Sequence, residues 1–185
     1  MRRTLLAATA ASALLLAPHA SAAPYAGAED AAIVSFNVTT TTGATYTLQL
    51  AASTPDSGAP RLRALIAPQG TPFVDYGATL PAGAFRTDGK VATLRTTLDG
   101  MPLTVRWTVD NALVMMTGDE SPDAGWHAFG NGGNAKVQLG TKKCTGTGLM
   151  GTLVAHDSGT FGAPISSWRV KGVAHCDQIV SPPLL

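Results

Sequence analysis

The chain has 185 residues, 45% of them hydrophobic and 14% charged, with a formal net charge of +1 and only two cysteines. A balance this close to neutral, with neither sign gathered into a long run, gives no electrostatic reason to expect nucleic acid or an anionic membrane as partner. Two cysteines exclude a disulfide-dense mini-scaffold, and the length suits one domain with a substantial core.

Taken in chain order, the first element is an export address. Arg2 and Arg3 precede an apolar run from Thr4 to Ala17, and Ala20-Ser21-Ala22 places small residues where a signal peptidase reads. This run of 14 residues suits the apolar region of a secretory signal and falls short of the roughly 20 needed to span a hydrocarbon core. Residues 1–22 are therefore expected to be a signal peptide and the mature protein to be secreted and extracellular. The arginine pair also loosely fits the twin-arginine export pattern, although two arginines are common at the start of any signal peptide. Removing the signal and its two arginines leaves 163 residues with 11 basic and 12 acidic side chains. Residues 23–32 read as a loose N-terminal leader, 33–180 as a single domain, and 181–185 as a tail with no segment to anchor it in a membrane.

The domain reads as strands. Val34, Phe36 and Val38 alternate with Ser35, Asn37 and Thr39, and Tyr46, Leu48 and Leu50 alternate with Thr45, Thr47 and Gln49, with Gly43 marking the turn between. Residues 61–67, bounded by Pro60 and Pro68, form the next apolar candidate. Asp88-Gly89 and Asp99-Gly100 predict hairpin turns, because glycine readily takes the positive φ such turns demand. Residues 91–98 and 103–109 read as paired strands, with Leu103, Val105, Trp107 and Val109 on one face. Asp110-Asn111 is expected to turn the chain into a further strand over 113–117, making a meander. One short helix is signalled by Ser121 as N-cap, Pro122 at the first helical position, Asp123 in the first turn and Gly130 as a stop. Residues 136–139, 149–155 and 167–176 continue the strand pattern; in the last, Trp168, Val170, Gly172, Ala174 and Cys176 share a face. About nine strands and no long helical stripe predict an all-β, single-domain antiparallel sandwich or barrel with at most one short helix.

Cys144 and Cys176 both lie in the exported part, and an oxidising compartment predicts a disulfide between them. Gly146-Thr147-Gly148-Leu149-Met150-Gly151 matches the dinucleotide fingerprint literally. That motif needs a helix after it, and Thr152-Leu153-Val154 favours a strand, so the glycines are assigned to strand packing or turns. Val173-Ala174-His175-Cys176 is similar to the sequence around the catalytic histidine of trypsin-like proteases, and Asp157-Ser158-Gly159 to that around their nucleophile. The two pieces stand in the reverse order and close together, so the similarity carries no family assignment. His127, His156 and His175 with Asp157 match no zinc spacing.

The most function-like stretch is 118–134, read as a long loop. It offers Trp126, His127 and Phe129 as ligand-binding residues and Asp119, Glu120 and Asp123 as ligands for extracellular calcium, without EF-hand spacing. No other cofactor is expected. The resulting expectation is a secreted, non-enzymatic binding module for an extracellular ligand or protein, with no nucleic acid and no membrane anchor. The alternatives are a secreted hydrolase using His156, Ser158 and His175, and an inhibitor of a secreted enzyme presenting 55–60 or 68–72 as a rigid loop.

Overall fold

In a computed structural model, residues 28–55, 58–120, 125–155 and 163–178 are described, with the side chains of 28–29, 111–129 and 153–155 outside the description. The proposed signal peptide, residues 23–27, His156, Asp157, Ser158, Ser121 to Asp123 and the tail lie outside the described residues.

Eleven strands follow one another: β1 (Ala28–Thr40), β2 (Thr45–Thr54), β3 (Arg61–Pro68), β4 (Val74–Thr79), β5 (Phe85–Thr87), β6 (Val91–Leu98), β7 (Met101–Glu120), β8 (Gly125–Leu139), β9 (Lys142–Ala155), β10 (Ala163–Pro164) and β11 (Val173–Gln178). All belong to one sheet, in the order β10-β4-β3-β2-β1-β9-β8-β7-β6-β5, with β11 paired to β1. The sheet curls into a half-barrel. The all-β expectation of a sandwich or barrel of about nine strands holds in its class and changes in detail: there are eleven strands in one hydrogen-bonded sheet, and no second sheet faces it among the described residues. The neighbours are antiparallel except for the two-residue pairing of β10 with β4. Among the described residues no helix is long and apolar enough to cross a membrane.

Four further expectations change. β1 starts at Ala28, and Ala31 and Ala32 are buried, so the end of the expected leader is paired strand. Asp110-Asn111 is not a turn: β7 runs through it, and the register shift between Val109 and Ala112 marks a bulge that bends the strand without ending it. Residues 125–130, expected to finish the short helix, are strand. The last strand begins at Val173, not at residue 167, because a 3-10 turn over Ile165–Ser167 and Gly172, at φ +73°, break the extended pattern.

Strand alternation places one set of side chains inside the curl. Val34, Phe36, Leu48, Leu50, Leu62, Ile66, Leu94, Val105, Val137 and Trp168 belong to one buried cluster. Its keystone is Trp107, about 1% exposed. Small residues flank it across the sheet, Ala92 on β6 and Ala135 on β8, and the indole extends past Ala135 toward β9. There Gly148 has no Cβ to block it; one would stand 3.0 Å from Trp107 Cδ1. The indole passes over this gap, and its Nε1–H donates to the Ile33 carbonyl of β1 at 2.6 Å. Gly146 likewise admits β1, since a Cβ there would sit 2.8 Å from the Ser35 carbonyl oxygen. Part of the apparent nucleotide fingerprint is therefore a packing window in a continuous strand.

Turn chemistry fixes the registers. Leu98 pairs with Met101 around Asp99 at φ +48° and Gly100 at φ +74°, the two positive values a two-residue hairpin requires. At the other hairpin Asp88 Oδ1 accepts the amides of Val91 at 2.7 Å and Lys90 at 2.9 Å. The expected disulfide is present: Cys144 and Cys176 have Cα atoms 5.6 Å apart. It ties β9 to β11 where β9 leaves β1, after the Ser35–Thr147 pair, and β11 takes over the pairing from Phe36.

Two predictions follow from this architecture. Gly148→Val replaces a poor strand former by a good one, yet is expected to destabilise the fold by about 1–3 kcal/mol, because the added methyls collide with Trp107. Urea denaturation of the two proteins measures it, and a variant as stable as the parent contradicts the packing window. The amides of Val91, chiefly, and Lys90 hold the Asp88 carboxyl below the usual aspartate range. A depressed native pKa gives a stabilisation present above the unfolded-state value and lost as pH falls through the native one. An NMR titration should show Asp88 titrating below an unstructured aspartate, whereas a midpoint at or above that value refutes the capped turn.

A candidate polyanion-binding face

The alternation that sends Leu103, Val105 and Trp107 inward sends Thr104, Arg106 and Thr108 outward. Register then assembles the outer face of β5–β9 row by row. Arg86 stands opposite Thr93, Thr93 opposite Arg106, Arg106 opposite Lys136, and Lys136 opposite Thr145. A second row, two residues along each strand, runs Arg95, Thr104, Gln138 and Lys143. Arg86, Arg95, Arg106, Lys136 and Lys143 are all exposed. No Asp or Glu lies between Lys136 and Thr147, and the only one from Val91 to Thr108 is Asp99, in a turn. The next charged residue along β7 is Asp110, at the bulge.

A shallow trough of about 460 Å³ runs over this face, lined by Thr104, Arg106, Lys136, Gln138, Lys143 and Thr145 among others. Like charges directly opposite on neighbouring strands destabilise a sheet, so Arg106 facing Lys136 works against folding. An anion bound between them relieves that repulsion and gains charge-assisted hydrogen bonds, in which the planar arginine fork suits a carboxylate or another oxyanion. The arrangement offers charge and hydrogen bonding on an open face.

The sites expected from sequence are placed differently. The stretch 118–134 is mostly a paired ladder, not a loop: Thr117 pairs with His127, Glu120 with Gly125, and Trp126 and Phe129 with Ala155 and Thr152 on β9. Of the expected ligand-binding and calcium residues, Asp123 lies outside the described residues. The side chains of Asp119, Glu120, Trp126, His127 and Phe129 lie outside the description, and only their backbone positions are assigned. For the hydrolase alternative, His175 stands on β11 with its Nε2 3.3 Å from Asp177 Oδ2, both side chains 59% exposed, and Ser158 is outside the described residues. For the inhibitor alternative, 68–72 forms a turn closed by the Thr71 amide and hydroxyl, both donating to the Pro68 carbonyl, beside exposed Phe73 and Val74.

Comparison with known protein families, with curated proteins and with solved structures finds no match. The geometry of the face therefore carries its chemistry alone.

Lys136→Glu turns the like-charge pair into an opposite-charge one. It is expected to stabilise the fold by about 0.2–1 kcal/mol in low salt, with the gain shrinking as salt is added. Thermal melts at two ionic strengths measure this, and a destabilised variant contradicts the outward, unrelieved placement of Arg106 and Lys136.

Proposed function

We propose that the protein is a secreted extracellular binding module, without catalysis of its own, that holds a polyanionic ligand on the outer face of β5–β9. The observation that carries the reading is the Arg106–Lys136 pair: two cations placed directly opposite on an exposed face, flanked by three more, with no carboxylate on the stretches 91–98, 101–109, 134–139 and 142–147 that carry the rows. Stability alone favours dispersing such charges, and a ligand is the simplest physical reason to gather them. The disulfide supports the extracellular part, since such bonds persist outside the reducing cytosol, as does the apolar segment behind Arg2 and Arg3.

Because the mature chain has a net charge near −1, binding to a polyanion has to come from this local field rather than from overall attraction. The mature protein is expected to bind an acidic polymer with an affinity that falls steeply as salt rises. Combined Arg106→Ser and Lys136→Ser substitutions should weaken binding and flatten the salt dependence, read by calorimetric titration. An affinity indifferent to both salt and the substitutions contradicts the proposal.

A further inference from the structure

We infer that the ligand of the basic face is an acidic polysaccharide, held by two parallel rows in which cations are interspersed with hydroxyl and amide groups. This inference rests on the polyanion-binding reading above and narrows it to one chemical class.

The rows run across the strands, not along them. The first joins Arg86, Thr93, Arg106, Lys136 and Thr145, and the second Arg95, Thr104, Gln138 and Lys143. With neighbouring strands about 4.8 Å apart, the first row extends about 19 Å over its four steps, and the second lies roughly 7 Å away along the strands. An elongated ligand is thus met by charge at some positions and by neutral polar groups at those between. Threonine hydroxyls donate and accept, and the Gln138 amide does both. A polymer of matching chemistry carries anionic groups separated by hydroxyls, which describes a chain of acidic sugars.

The composition of the face argues against the other polyanions. From Val91 to Thr97, Pro102 to Thr108, Asn134 to Gln138 and Lys143 to Thr147, the outward positions carry no aromatic side chain. Single-stranded nucleic acid is ordinarily held by bases stacked on aromatic rings, and nothing here supplies such a platform. A protein partner brings an apolar core to its interface, whereas Val91 and Pro102 at the margins are the only apolar outward residues in those segments. The trough between the cations holds about 460 Å³ and is lined by residues of both rows, Arg106, Lys136 and Thr145 of the first and Thr104, Gln138 and Lys143 of the second.

The test titrates the mature, disulfide-bonded protein with polygalacturonate, dextran sulfate, neutral dextran, polyglutamate and a single-stranded oligonucleotide, compared per unit charge. At least one acidic polysaccharide is expected to bind more than tenfold tighter than the oligonucleotide and polyglutamate, with neutral dextran silent; which one binds more tightly identifies carboxylate or sulfate as the charged group. Thr104→Val with Thr145→Val keeps shape and charge but removes two hydroxyls, and should weaken polysaccharide binding about tenfold while leaving polyglutamate unchanged. Circular dichroism of each variant checks that it is folded. If the oligonucleotide or polyglutamate binds as tightly as the polysaccharides, or the valine pair changes nothing, the polysaccharide assignment is overturned and the basic-face reading stands. If no polyanion binds, that underlying reading fails as well.

Discussion

The hydrogen bond from Trp107 to the Ile33 carbonyl ties the two halves of the sheet together. It spans β8 and β9 to reach β1, joining the β5–β9 meander to the β1–β4 side through the interior of the curl. An indole can reach this way only because Ala135 and Gly148 leave its path open, and because the N–H at its far end finds an acceptor in place of water. With that ring fixed inward, the parity of β7 is fixed too. A slip of one residue would bury Arg106 and expose Val105, a cost large enough to hold the register. The outer face is therefore a consequence of the inner one.

The same parity explains how a near-neutral chain presents a basic surface. Arg86, Arg95, Arg106, Lys136 and Lys143 are scattered through sequence, and each alone resembles an ordinary solvated residue. Their gathering depends on the pairings of β5 through β9 and on the two hairpin turns that set them. The disulfide contributes at the far edge, since it holds the start of β9, with Lys143 and Thr145 on either side of Cys144, against β11. In the loop-entropy account a bridge closing 32 residues is worth roughly 3–4 kcal/mol. Some of that stability offsets the repulsion between facing cations.

Local chemistry was legible in the sequence wherever a short stretch decides the outcome. Asp88-Gly89 and Asp99-Gly100 turn the chain as their φ requirements dictate, Trp107 faces the core as its alternation implies, and the two cysteines pair. Composition misled where strand and turn share residues. Asp110-Asn111 has the makings of a turn but forms a bulge, because β8 continues alongside and keeps pairing beyond it. Gly130-Asn131-Gly132-Gly133 reads as a loop, yet β9 runs alongside and pairs every one of these residues. β4, with Asp75 and Gly77 inside it, lacks a strand pattern and is held by its pairing to β3. The basic face had no local signal at all, since nothing in the spacing of its five cations indicates which residues will stand opposite one another.

The claim that most needs testing is that these outward rows are the place of binding. Backbone amide resonances of the isotopically labelled mature protein, followed by NMR while the tighter-binding of polygalacturonate and dextran sulfate is added, test it most directly. The account predicts shifts concentrated at residues 93, 95, 104, 106, 136, 138, 143 and 145, with β2 and β3 silent. Shifts centred elsewhere, on the turn bearing Phe73 or on the end of the β7–β8 ladder, would contradict it.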